Sequence, residues 1–453
     1  MDWNEEYKDC LDYIDNYWDK VVRPPMRKVI NHKIIHIPHA FFTPNHSKFS
    51  YIFYWDSFFM FRGLIRTKRE WLMKEMVENF IYLLETYGAV PNFNAPAAMG
   101  RSQPPFLTSM ILDTYNGYYF AYKKKNKFIK VLKSLDSPKK WLKKAVVYAK
   151  LEYEKVWIDT DRIHYHSVPG WNLNRYGDTD IGYAHSSELE SGWDFTSRYY
   201  NRADDFFPVD LNVYLYKYER DFTKISSILG DMEDSIKWAD LAKQRKETIN
   251  KYMWNEKTGF FYDYDYVHKK QSKFLSLAGF TPLWAGLATG EQAKKMIKML
   301  PLFETEHALT ITAEESLAPK ISIEKLPKSY RVGVEALLAP KQWDYPNAWP
   351  PLEYLTVIGL LKYGYVKESR RLMEKYIKTH AALFRKHHSF HEKINGVTGK
   401  PSGNYDYEHQ LGFGWTNAVF YRFIQLLDSL GKDEKLYVEP KASEPPYKLA
   451  LPH

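Results

Sequence analysis

The feature that most constrains this chain is a recurrent helical spacing of apolar residues, broken by dense polar loops. From Glu70 to Tyr87 the positions Trp71, Met73, Val77, Phe80, Ile81 and Leu84 fall at helical spacing, and Gly88 stops the run. Comparable patterns cover Leu107 to Lys125, Trp141 to Trp157, Asp210 to Arg220, Ile225 to Met253, Gly290 to Met299, Tyr354 to Tyr363, Lys367 to Phe384 and Trp415 to Leu430. Strand signals are few; the best is Gly259 to Tyr266, whose alternation suits a short hairpin arm. An all-α architecture follows, with the loops carrying function. No Pro/Gly/Ser-rich linker or low-complexity block divides the chain, so residues 1–432 read as one domain and 433–453 as a Pro-containing tail.

Composition narrows the setting. A 453-residue chain that is 45% hydrophobic and 26% charged has enough apolar surface for a large core and enough charge to stay soluble. Cys10 is the single cysteine, which excludes an internal disulfide and any multi-thiolate metal site and points to a reducing compartment. The polar, acidic first residues lack the basic and apolar regions of a signal peptide, and no stretch is long enough to span a membrane, so a cytoplasmic location is expected. A net charge of +9 could suit nucleic acid, but the lysines are spread along amphipathic segments. Their one strong cluster, Lys123 to Lys127, reads as a solvated helix end, so neither nucleic acid nor membrane is expected as a partner. The 15 histidines show no metal-ligand spacing; His185 and His391 read as supporting or surface groups, and no metal or cofactor is expected.

The chemistry lies between the helices. Residues 342 to 349 pack Gln342, Trp343, Asp344, Asn347 and Trp349 around a proline. Flat indoles suit the C–H faces of a pyranose, and carboxamides beside a carboxylate offer the donors and acceptors that adjacent hydroxyls require, so a carbohydrate site is expected here. Four further stretches have the same character. They are Phe49 to Phe58 with Trp55 and Asp56, Gly88 to Pro105, Glu190 to Arg198, and the run from His391-Glu392-Lys393 through Asp406 to Gly412-Phe413-Gly414-Trp415.

In order, from about residue 44 to 420, these stretches resemble the trehalase family, the inverting glycoside hydrolases of family 37. Gln342 to Pro351 looks like the family's second signature, and Ser191-Gly192-Trp193-Asp194-Phe195 looks like its acid-bearing element. Asn92 with Arg101 to Pro105, Asn174-Arg175-Tyr176, Pro208 to Asn212 and Gly412 to Asn417 are similar to other family loops. The resemblance implies an (α/α)6 toroid with its site in a loop-lined funnel, acting on a small disaccharide or glucoside as a monomer or small homo-oligomer. It also implies an inverting mechanism, in which one carboxylic acid protonates the glycosidic oxygen and a second carboxylate deprotonates water.

Asp194 stands where the family has its acid, and flanking Trp193 and Phe195 supply apolar surface that favours a proton on it. Glu392 stands at the place of the base, with Asp406 fourteen residues on (406 − 392) where the family carries a second Glu; either could activate the water. Trp55, Asp56, Asn92, Arg101, Gln103 and Trp349 look like subsite residues, as do Lys48, Phe49, Arg175, Gly192, Phe413 and Trp415 within the matching motifs.

Two departures bear on substrate. Asn45 to Phe49 replaces a Pro-Gly-Gly-Arg-Phe signature, putting the point charge of Lys48 in place of a bidentate arginine. Arg175 and Asp194 are only nineteen residues apart (194 − 175), without the family's Arg-Pro-Glu insertion, which implies a more open leaving-group subsite. α,α-Trehalose is the expected substrate. A family 63-like α-glucosidase, or a glucosylglycerate or mannosylglycerate hydrolase on the same fold, is the alternative. Gly396 to Gly403 is the expected place for a closing lid.

Overall fold

In a computed structural model, residues 2–26, 33–126, 137–159, 166–177, 186–317, 340–403 and 410–431 are described. The helices alternate between two kinds. One kind is amphipathic: α1 (Lys8–Val21), α3 (Trp71–Tyr87), α5 (Pro138–Glu152), α7 (Met232–Met253), α9 (Gly290–Met296) and α11 (Val366–His387). In α11, for example, Leu372, Met373, Tyr376, Ile377, Ala381 and Phe384 are buried, while lysine and arginine occupy the other face. The other kind comprises α2 (Tyr54–Phe61), α4 (Leu107–Asn126), α6 (Val209–Leu229), α8 (Thr281–Trp284), α10 (Pro350–Lys362) and α12 (Gly414–Gly431). Every residue of α2 and of α10 is buried.

The second kind forms an inner ring. α2 packs on α4, α4 on α6, α6 on α8, α8 on α10, α10 on α12 and α12 back on α2, which closes an (α/α)6 toroid around an apolar core. Close approach is built in at Gly359 of α10, where a Cβ would come within 2.8 Å of both Leu283 Cβ and the Trp284 backbone nitrogen on α8. Connections from inner to outer helices are short, such as 230–231, 285–289 and 363–365, whereas those from outer to inner are long, such as 88–106, 254–280 and 388–413. Long segments therefore gather at the end where the inner helices begin.

Three sequence expectations are adjusted. Ile225 to Met253 is two helices, because Gly230 takes a left-handed φ of +89° and Asp231 caps the next helix by accepting from the Asp234 N–H. The pattern from Trp141 to Trp157 starts at Pro138, capped by Ser137, and ends in a π-turn over Tyr153–Ile158. Gly259 to Tyr266 is not one arm: Phe260–Phe261 pairs with Trp254–Asn255, and Tyr264–Asp265 lies between Phe206–Phe207 and Lys270–Gln271. The expected tail from 433 onward lies outside the described residues.

Glu353, on α10, is buried, and among the described residues its carboxyl has one donor, the Leu309 N–H at 2.9 Å. Burial pushes its pKa up to about 8, so the protonated form contributes stability that is complete below the usual pKa of 4.5 and lost as pH rises through about 8. Glu353→Gln lacks this titration. Urea unfolding of both proteins is expected to show the Gln variant gaining on wild type between pH 4.5 and 8, by about 1–3 kcal/mol; a constant difference would refute it.

Candidate active site

Three carboxyl groups from distant parts of the chain meet at the open end of the ring. Asp56 lies in the first turn of α2, Asp194 in the segment before α6, and Glu392 in the segment before α12. Asp56 is 5% exposed, and its pKa is raised well above the carboxylate range, first by burial and then by the charges of Glu392 and Asp194. Burial and these charges therefore favour its protonated form. Trp55 and Asp56 also sit on a helix rather than in a loop; the short, largely aromatic run around them shows no helical period.

The turn that carries Asp194 is strained and clamped. Gly192 has φ +74° and Phe195 φ +63°, and a Cβ on Gly192 would come within 2.7 Å of the Trp55 ring. Arg198 fixes the turn from below: its guanidinium grips Asp210 at 2.9 Å through two nitrogens and Asp263 at 2.7 and 2.8 Å, and lies 4.5 Å from the Trp193 ring. Asp344 fixes it from the side. Its carboxylate accepts from the Ser197 N–H (2.9 Å), the Ser197 hydroxyl (2.6 Å), the Thr196 hydroxyl (3.1 Å) and the Lys341 N–H (2.9 Å). Glu188, absent from the sequence reading, accepts from the Thr196 N–H at 3.2 Å, and burial pushes its pKa up to about 7. Asp194 itself remains partly exposed.

Glu392 is 1% exposed, and Lys393 Nζ lies 3.0 Å from its Oε2, compensating the charge of a buried carboxylate. The Lys393 ammonium also lies 4.7 Å from the Trp349 ring. The Glu392 carbonyl accepts from the Trp415 indole N–H at 3.0 Å, which ties this segment to the start of α12. Asp406 and His185 lie outside the described residues. His391 is buried, and its carbonyl accepts from the Thr416 hydroxyl.

The other residues singled out divide into groups that reach the funnel's rim and groups that brace it. Gln103 accepts from the Trp55 N–H at 3.1 Å, and Asn92 donates to the carbonyls of Ser102 and Leu189. The Arg101–Gln103 segment is stapled to the Asp194 segment by buried Glu190, which accepts from the Ser102 and Gly177 N–H groups and pairs with His166 at 2.8 Å. Burial would raise the pKa of Glu190, but His166 and these donors prevail and lower it.

Arg175 donates to the Asp204 carbonyl at 2.9 Å and the Tyr266 hydroxyl at 3.0 Å. Lys48 is exposed, beside Phe49, in a turn held by the Asn45 carboxamide, which reaches Gln410 at 3.0 Å. Phe49 and Trp415 pack edgewise and tilted against Phe413.

The indoles expected to face a sugar mostly face one another. Trp343 stacks on Trp349 at 3.9 Å and on Trp193 at 5.5 Å, and it packs against Trp55 at 5.7 Å. Asn347 donates to the Gln342 carbonyl and accepts from Ser402. The 342–349 segment is thus largely the floor beneath the turn that carries Asp194. The Gly396 turn is also anchored: the Gly396 carbonyl accepts from the His307 N–H and the Thr305 hydroxyl, and its N–H donates to the Pro346 carbonyl. These bonds argue for a fixed wall rather than the expected lid.

A closed ring of helical hairpins with carboxyl groups converging where the inner helices begin defines an (α/α)6 glycoside hydrolase. The trehalase family model matches residues 2–428, and the chain belongs to that family. Among solved structures, it is similar to the neutral trehalase Nth1 of Saccharomyces cerevisiae, with 28% identity and a TM-score of 0.69 over 87% of this chain and 74% of that one. A family 63 mannosylglycerate hydrolase of Thermus thermophilus, solved with glucose, shares the fold at 17% identity and a TM-score of 0.60, over 84% of this chain and 95% of that one.

Because Asp344 acts through the turn that holds Asp194, Asp344→Ala is expected to lower kcat for the family's substrate about 100-fold. KM should move within about threefold, since no sugar contact is removed. Steady-state kinetics on the folded variant test this; a change confined to KM would assign Asp344 to substrate binding instead.

Proposed function

We propose that this chain hydrolyses α,α-trehalose to two glucose molecules with inversion, Asp194 acting as general acid and Glu392 as general base. The observation that carries the assignment is the placement of both groups around Asp56, on segments from opposite halves of the chain. Asp194 sits on a backbone held in an unfavourable conformation by surrounding bonds, a fixed platform from which to protonate the glycosidic oxygen. Glu392, with its charge compensated by Lys393, takes a proton from the water that attacks the anomeric carbon on the other face. Asp56, carrying a proton, donates to a hydroxyl of the bound sugar while its other oxygen accepts. Membership of the trehalase family supports the substrate.

One observation favours a second aglycone. Arg175 is engaged by Asp204 and Tyr266, and the connection to Asp194 is short, which supports an open leaving-group subsite able to take glycerate or another glucosyl unit.

Proton NMR of the fresh products from trehalose tests substrate and mechanism together. Wild type should release one α- and one β-glucose per trehalose before mutarotation, while Asp194→Asn and Glu392→Gln should each lose about 10³-fold in kcat. Two α-anomers would eliminate inversion. Trehalose left intact, with turnover of glucosylglycerate or mannosylglycerate in the same assay, would move the substrate to the second reading.

A further inference from the structure

A buried triangle of oxygens lies behind the start of α2. Glu152, the last residue of α5, approaches the Tyr54 hydroxyl at 2.7 Å through Oε1 and the Tyr218 hydroxyl at 2.9 Å through Oε2, and the two hydroxyls lie 2.9 Å apart. All three side chains are buried, and among the described residues no ion pair includes Glu152. The elements packed around it bring hydroxyls and an N–H rather than charge: Tyr54 from α2, Tyr218 from α6 and the Leu107 N–H from α4. Charged groups on the neighbouring helices are joined to one another, in the pairs Lys144–Glu78, Lys217–Asp221 and Arg245–Glu219, and Tyr153 donates to Glu219.

Counting hydrogens decides the state of the triangle. Three oxygen–oxygen contacts of hydrogen-bond length need three protons, and two tyrosine hydroxyls supply two. With a bare carboxylate both hydroxyls would turn toward it, leaving two lone-pair oxygens facing each other at 2.9 Å. The Leu107 N–H donates to both oxygens, at 2.7 Å to Tyr218 and 3.2 Å to Tyr54, but puts no proton between them. A proton on Glu152 closes the ring: the carboxyl donates to Tyr54, Tyr54 to Tyr218, and Tyr218 to the other carboxyl oxygen. Burial favours the same state, pushing the Glu152 pKa up to about 7 against the side-chain donors, Tyr54 first, that lower it.

The ring joins two parts of the site. Tyr54 opens α2 two residues before Asp56, and its N–H donates to the Asn92 carbonyl at 3.2 Å. Leu107 opens α4 four residues after Gln103, which accepts from the Trp55 N–H at 3.1 Å. We propose that Glu152 is a positioning residue for the sugar-binding wall of the funnel, holding the starts of α2 and α4 against α6 through a proton shared with Tyr54 and Tyr218. This rests on the reading of Asp56 and Gln103 as sugar-binding groups. As pH rises through about 7 the proton leaves to solvent, the two hydroxyls lose the hydrogen between them, and the start of α2 loosens.

Infrared spectra of the full chain and of Glu152→Gln test the shared proton without substrate. Glu188 and Glu353 titrate in the same range, so the signal is the wild-type minus variant difference: a protonated-carboxyl C=O band present at pH 6 and gone at pH 9. Trehalose kinetics test the positioning. A Gln amide donates and accepts as the neutral acid does, so Glu152→Gln should match the wild-type KM within about twofold at pH 6 and hold it at least about threefold below wild type at pH 9. Tyr218→Phe removes a donor to the carboxylate and should move the loss of the band to higher pH, a readout that serves even if the Gln variant does not fold. No band at pH 6, no shift in Tyr218→Phe, or a KM ratio that stays constant from pH 6 to 9 would overturn the proposal. The band is read without substrate, so its absence defeats the proposal whatever the enzyme hydrolyses, whereas trehalose left intact by wild type defeats only the proposed activity.

Discussion

Arg198 is buried completely, and both edges of its guanidinium are spent on carboxylates: Asp210 at the start of α6 and Asp263 just before the Tyr264–Asp265 strand. Asp263 also accepts from the Val209 N–H, so one pair of carboxylates holds an inner helix, a strand pair and the turn bearing Asp194 in fixed relation. Breaking one partner of such a buried cluster typically costs about 3–5 kcal/mol, because the remaining charge is left without compensation. The arrangement is expensive to desolvate. Its return is a rigid platform, and the left-handed backbone at Gly192 and Phe195 persists only because surrounding bonds over-determine it.

The same logic recurs around the funnel. Asp344 and Glu190 each join, by hydrogen bonds, two segments that precede different inner helices, and Lys393 does so through the Trp349 ring. The toroid explains why. Inner helices pack through apolar, fully buried surfaces and have little freedom, so the long outer-to-inner connections meet in one place and can be cross-linked by polar contacts. Rigid helices set the distances, and buried carboxylates set the orientation of the loops.

Charge at the site is organised by burial as well. Asp56 lies beside two other carboxyl groups and is itself driven toward its protonated form, so three acidic side chains share a cleft without three full negative charges. Lys393 plays the complementary part for Glu392. The protonation that each carboxyl group favours thus follows from its surroundings rather than from residue type.

Much of this was legible in the chain. Helical periodicity marked most of the outer helices, and the loop motifs marked where the chemistry lies, because amphipathic spacing and clustered polar aromatics are local signals. α2 and α8 were not legible, since helices of eight and four residues are too short to display a helical period. Gly230 divided a continuous pattern because apolar spacing does not register a single left-handed residue. The sequence by itself determined the family, the all-α class and the residue types at the site. Only the tertiary structure decided which of them face the cleft and which brace it. Asp344 and Trp343 look the same in sequence whether they touch a sugar or a neighbouring loop, and that choice depends on contacts between segments nearly 150 residues apart.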